Sequence, residues 1–283
     1  MLSYLIFYLT LSYKVIRGNS TISYFSFIAL LLLLSFFIGF RHEIGVDWDQ
    51  YVDIINRFKD GDLTVIFLNP EPAYLLLSWF GGKFENSIYF VNFIAAFIFS
   101  LGLLKFSKNQ DYPWLSVLIA FPILIVMVAM GYTRQSCAIG FEFFALNAFE
   151  NKRLFRSLVF IGLGSMFHLS VLPLFVFFIN NPIKKRIKFK NIVPIGIISY
   201  VGYLIYITKF QTTLLSYYRN YILSDFYSSG AIYRLIPALI AAIILIIHKT
   251  KFSNLFGDQL IVYLRMSYAI LFFTLLIFLF PRN

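Results

Sequence analysis

The chain has 283 residues, of which 60% are hydrophobic and 13% charged, with 35 Phe and 19 Tyr. Apolar runs this frequent exclude a soluble globule and leave no stretch for a separate soluble domain, so one polytopic membrane domain is expected to cover residues 1–283. The net charge of +11 does not indicate nucleic acid, because the Lys and Arg residues fall in short clusters between apolar runs, where the positive-inside rule places them.

The first apolar stretch, Leu2 to Tyr13, is followed by Lys14 and Arg17 rather than preceded by them. That is the reverse of a secretory signal and predicts a short retained helix. Further apolar runs at 22–40, 87–104, 113–131, 192–208, 231–247 and 259–280 each approach the ~20 residues that cross ~30 Å of hydrocarbon. With short re-entrant or broken pieces included, the expectation is an all-α integral membrane bundle of about 9–11 segments. Cytoplasmic loops are expected at 14–21, 105–112, 150–156, 181–191 and 248–258, leaving 41–86, 132–134 and 209–234 outside. The first outer segment carries Glu43, Asp47, Asp49, Asp53, Asp60, Asp62, Glu71 and Glu85 against Arg41, Arg57, Lys59 and Lys83, so its sign is opposite to that of the inner loops.

Within it, Gly45 supplies a flexible approach, and Asp47 with Gln50 three residues on predicts a capped helix start. Trp48, Tyr51, Val52, Ile55 and Phe58 then share one helical face, and Asp49, Asp53 and Asn56 the other, as in an amphipathic helix lying on the outer leaflet. Asp53 and Arg57 are spaced for an i,i+4 pair. Next, Pro72 opens a helix that Gly81 and Gly82 stop after about ten residues, too short to span, with Glu71 at its N-terminal end.

Arg134 and Gln135 begin an apolar segment at the outer face. An Arg at that depth costs a few kcal/mol unless it pairs or meets an anion. The adjacent chain offers it no obvious acid, and Glu142, on the same helical face, lies about 12 Å deeper. Two readings follow: neighbouring helices satisfy Arg134 and Glu142, or, as the favoured expectation, Arg134 binds a phosphate held at the membrane surface. The lone Cys137 excludes a disulfide or thiolate metal site within one chain.

Topology singles out His168. If residues 135–149 cross inward and 157–180 cross outward as one span, Lys184 to Lys190 emerge on the wrong face. Either the second run breaks near Phe167-His168-Leu169-Ser170 and returns as a hairpin, or residues 135–149 lie on the outer surface. The break keeps both basic clusters inside and brings His168 toward the outer carboxylates as a general base or orienting group. His42 and His248 flank apolar ends and read as interfacial.

Zinc-ligand spacing is absent, as are GxxxxGK[ST], GxGxxG and G-x-S-x-G motifs, so neither metal nor cofactor nor nucleotide-driven chemistry is expected. A substrate must bring its own leaving group. At an outer leaflet that means a lipid-borne donor such as a polyprenyl diphosphate.

Four motifs then stand in order: Arg41-x3-Gly45-x-Asp47-x3-Tyr51, Glu71-x2-Tyr74, Tyr132-x-Arg134-Gln135-x2-Ala138 and Phe167-His168-x-Ser170. Each is short, but in this order, with membrane runs between them, they resemble the EpsG-like branch of the Wzy-type polysaccharide polymerases of bacterial envelopes, over roughly residues 1–250. The resemblance implies a GT-C-like fold and a metal-independent glycosyltransferase at the extracytoplasmic face of the bacterial cytoplasmic membrane. It would polymerise undecaprenyl-diphosphate-linked oligosaccharide repeat units into an exopolysaccharide, capsule or O-antigen. Arg41 and Arg134 would hold the diphosphate, and His168, or failing it Asp47, would accept the proton of the attacking hydroxyl. Glu71 and Tyr74 would bind the acceptor, with Tyr51, Gln135 and Arg219 as further substrate contacts. Partners would be the lipid-linked donor and acceptor, membrane lipids, and flippase and chain-length regulator proteins. The outer segment 209–230 is shorter than in many relatives of this type, although Tyr217, Tyr218, Arg219 and Tyr221 offer stacking rings and a cation. Two rival classes remain: a lipid-linked oligosaccharide flippase or other transporter, which needs a polar path to both faces, and a membrane acyltransferase, whose donor normally approaches from the cytoplasm.

Overall fold

A computed structural model describes residues 2–18, 21–45, 47–178, 231–257 and 260–279; these are helical throughout apart from turns, with no strand. The chain divides into two compact units, Met1–Val176 and Phe177–Asn283.

In the first unit, α1 (Leu2–Ile16) and α2 (Tyr24–Gly39) are apolar helices, the second started by Ser23, whose hydroxyl accepts from the Ser26 N–H. Helix α6 (Ser87–Lys108) is, among the described residues, the one helix both long and apolar enough to cross a membrane by length and composition. The run predicted at 113–131 forms α7 (Pro113–Ala120) continued by a π-helical stretch, Phe121–Ala129, at Pro122. Proline lacks the N–H that the regular ladder needs, and the wider π turns accommodate its ring. Leu34, Ile38, Phe99, Leu103, Val117 and Ile125 fill the core between these helices. Lipid tails are as apolar as these side chains, so what holds such helices together is close packing.

Glycine makes the closest approach possible. Helix α8 (Thr133–Glu150) runs beside α6 with Gly102 against Gly140, and a Cβ on Gly140 would lie 2.7 Å from the Ile98 carbonyl oxygen. Helix α8 packs lengthwise against α6 as one 18-residue helix. Helix α9 (Leu154–Ser165) returns along α8, and the Ser157 hydroxyl donates to the Ala145 carbonyl. The chain then breaks at Met166-Phe167-His168, as expected, and continues as a 3-10 segment, Leu169–Phe178. The hairpin return, Lys184 to Lys190, the outer segment 209–230 and Arg219 lie outside the described residues.

Three short helices cover one end of this unit: α3 (Trp48–Phe58), α4 (Leu63–Phe67) and α5 (Pro72–Gly81). The half-helix has the predicted bounds, with Pro72 first and Gly82 at its C-cap. Three expectations for α3 are corrected. Its apolar face does not lie on lipid as an anchor: Tyr51 and Ile55 pack with Ile66, Tyr74, Leu75 and Val91, because α5 and α6 present a matching apolar surface. Asp47 occupies the cap position but makes no side-chain cap bond; its φ of −95° and ψ of 10° leave the extended region from which a cap side chain reaches back. Asp53 and Arg57 form no ion pair with each other. Gly45, at φ +107°, turns the chain tightly past Gly131; a Cβ there would lie 2.7 Å from the Gly131 oxygen.

In the second unit, α10 (Ala231–Ile247, with Pro237 inside), α11 (Lys249–Phe256) and α12 (Leu260–Leu279) form a helical group in which α10 and α12 pack on each other.

Candidate functional site

The start of α5, the start of α8 and the break after α9 meet under the cover of α3. The join between the first and third is made by backbone: the Ala73 N–H donates to the Met166 carbonyl at 3.0 Å. That bond fixes Glu71 and His168 on one side of the cluster. Arg134, in the first turn of α8, faces them.

Arg134 Nη1 donates to Glu71 Oε2 at 2.9 Å, with the Glu71 side chain 7% exposed and that of Arg134 22%. The adjacent chain offers Arg134 no acid, and the fold supplies one from 63 positions away, the outcome in which a neighbouring helix satisfies it. The guanidinium also lies over two phenol rings, 5.8 Å from the Tyr51 centroid and 5.9 Å from that of Tyr74. Cation–π attraction adds to the ion pair there. Arg134 Nε is buried and has no hydrogen-bond partner among the described residues.

His168 approaches the other carboxylate oxygen, with Nε2 3.9 Å from Glu71 Oε1. Its Nδ1 accepts the Ser170 N–H at 3.2 Å. An imidazole that accepts at Nδ1 while neutral carries its hydrogen on Nε2, so the atom facing Glu71 is a donor. Burial holds the ring's pKa below the ordinary histidine value, against the raising effect of Glu71, with Arg134 a smaller lowering influence. The neutral form is therefore the resting one at pH 7.

Tyr51 and Tyr74 form the apolar floor, their rings edge to face at 5.7 Å. Burial pushes the Tyr51 phenol up to about 12 and raises that of Tyr74 further, so both stay protonated. The Tyr51 hydroxyl points to Asp47 Oδ2 at 3.5 Å. Gln135, next to Arg134, is half-buried, and its side chain makes no hydrogen bond among the described residues.

Arg41 sits behind the cluster, 4% exposed. Its Nη1 donates to the Ile38 carbonyl at 3.0 Å, and its Nη2 to Asn92 Oδ1 at 3.2 Å and Thr133 Oγ1 at 2.6 Å. Thr133 in turn donates to Asn92 Oδ1 at 2.7 Å. The end of α2, the first third of α6 and the start of α8 are stapled by this buried network, which sets where Arg134 begins. Burial lowers the guanidinium to about 10, still charged at neutral pH. Neither Asn92 nor Thr133 stands out in the sequence, although a lone amide inside the apolar run 87–104 is the signal for Asn92.

Fold and site together give an all-helical arrangement, consistent with a helical membrane protein, with a half-buried Arg-Glu-His cluster where the short helix α5 meets the break after α9. A family model described as the EpsG family matches residues 23–282, and the chain belongs to that family, the Wzy-like polysaccharide polymerases of the membrane. Comparison with curated proteins and with solved structures returns no match.

Proposed function

We propose that this protein joins lipid-linked oligosaccharide repeat units on the extracytoplasmic side of a bacterial cytoplasmic membrane, transferring the growing glycan from one undecaprenyl diphosphate carrier to a sugar hydroxyl on another. What supports the reading most is the Arg134–Glu71–His168 cluster: a cation with a spare buried donor, beside a carboxylate and an imidazole. The GT-C-like arrangement and the count of membrane segments belong to the same proposal.

Arg134 binds the carrier's diphosphate, whose negative charge grows as the anomeric C–O bond breaks. A diphosphate competes for Arg134 and loosens its hold on Glu71. The freed Glu71 carboxylate takes the proton of the acceptor hydroxyl as its oxygen bonds to the anomeric carbon, and undecaprenyl diphosphate leaves. In this reading His168 orients the acceptor through Nε2–H, in place of the base role expected for it or for Asp47, which the Tyr51 hydroxyl faces. Arg41 positions Arg134 through Thr133 instead of gripping phosphate itself. Tyr74 and Tyr51 form an apolar floor beside the reacting groups, while Gln135 and Arg219 remain proposed substrate contacts.

Expressing Arg134→Ala in a host that makes the repeat unit tests this: single repeat units accumulate and long polymer disappears while the protein stays inserted. Normal chain lengths would overturn the proposal.

A further inference from the structure

At the far end of α8, 13 positions from Arg134 to Asn147 or about 20 Å along the helix, a groove of about 460 Å³ opens between the last turn of α6 and the start of α9. Lys105 reaches it from α6, Asn147 from α8, and Arg153 and Arg156 from the start of α9. Among the described residues no carboxylate lines it. Its wall is aromatic: Phe144, Phe155 and Phe160 face the same space, and Lys105 Nζ lies 5.5 Å from the Phe144 ring centroid. Phe155 is 78% exposed.

The positive-inside rule accounts for cations at this end of the helices. It does not account for their convergence from two helices onto one concave, acid-free surface beside an asparagine amide. The placement of two of them is also electrostatically adverse. Arg153 occupies the cap position of α9 and Arg156 its first turn, with no acid in that turn and no side-chain cap, so both sit against the positive end of the helix dipole. An anion between Lys105, Arg153 and Arg156 relieves that repulsion.

We propose that this groove binds the phosphate of an anionic phospholipid, with its acyl chain covering Phe155 and Phe160. A lipid-borne phosphate fits better than a free one because the cations and the exposed aromatic wall share one groove, and only a lipid satisfies both. The site is separate from the Arg134 cluster and does not depend on the reaction assigned there.

Native mass spectrometry of the whole protein in mild detergent, titrated with phosphatidylglycerol and with phosphatidylcholine of identical chains, tests it. The expected result is one tightly held phosphatidylglycerol, preferred about tenfold or more, since each basic residue near a lipid surface favours anionic lipid by about 1 kcal/mol. The Arg153→Gln/Arg156→Gln pair and, separately, Lys105→Gln should each reduce that preference. Lys14→Gln/Arg17→Gln, which removes as many cations elsewhere, should leave it intact. Three results each contradict the proposal: an unchanged preference in both groove variants, an equal loss in the Lys14/Arg17 control, or displacement of the lipid by inorganic phosphate at equal concentration.

Discussion

Arg134 and Glu71 close a 2.9 Å ion pair across 63 positions of chain, and that pair holds the half-helix α5 against the start of α8. A buried pair of this kind is more than a structural tie when the cation keeps an unused donor. Removing one partner leaves the other charge buried, and truncating such pairs costs about 3–5 kcal/mol. Arg134→Lys keeps the charge but not the fork, and is expected to retain the fold while losing most polymerisation; the check is polymer length beside the amount of protein in the membrane.

Glu71→Gln preserves shape and removes the base. It is expected to slow elongation by about 10²- to 10⁴-fold, the usual contribution of a positioned acid or base. Lipid-linked substrate should still bind, because Arg134 is then free of its internal partner. A single-turnover assay that separates binding from transfer reads both effects.

His168→Gln places an amide N–H close to where Nε2–H stands and is expected to keep a substantial part of the activity, whereas His168→Leu loses it. If His168 were the base, the two variants would be equally inactive.

The proton balance at His168 has a definite sign. The unfolded chain binds a proton there near the ordinary pKa of ~6.5, while the folded chain does so only at lower pH. Stability contributed by the neutral ring is therefore complete above ~6.5 and falls as pH drops toward the folded value. In His168→Gln this part of the acid sensitivity should vanish, as thermal unfolding scans across that range would show.

Behind the site, Thr133→Val removes a hydroxyl that both accepts from Arg41 and donates to Asn92. Loss of about 1–3 kcal/mol is expected for the groups left unsatisfied. Gly140→Ala meets the Ile98 carbonyl and should cost a similar ~1–3 kcal/mol through overpacking. Gly140→Ala should act on the amount of folded protein, measured by melting in detergent, whereas Thr133→Val should in addition lower turnover per folded molecule, because Arg134 loses the network that positions it.

How much of this was legible in the sequence depended on whether the signal was local. Pro72 and the Gly81-Gly82 pair bounded the half-helix because each acts on its own backbone. The face shared by Tyr51 and Ile55 is equally visible, but an apolar stripe reads the same whether lipid or protein covers it, so from sequence alone α3 reads as an anchor. Charge counting across the basic clusters located the break at His168. The Arg134–Glu71 pair left no trace, since nothing in either segment reports a partner brought in by folding. Arg41 looked like a substrate ligand for the same reason: its partners Asn92 and Thr133 come from α6 and α8.

The claim that this cluster joins lipid-linked repeat units is tested most directly by reconstitution. Purified protein in vesicles is given undecaprenyl-diphosphate-linked repeat units alone, with no nucleotide, and the products are sized. The account predicts a ladder of elongated glycans from the native protein and none from Arg134→Ala. Transbilayer movement of the lipid-linked units without elongation, or an unchanged ladder from the Arg134 variant, would contradict it.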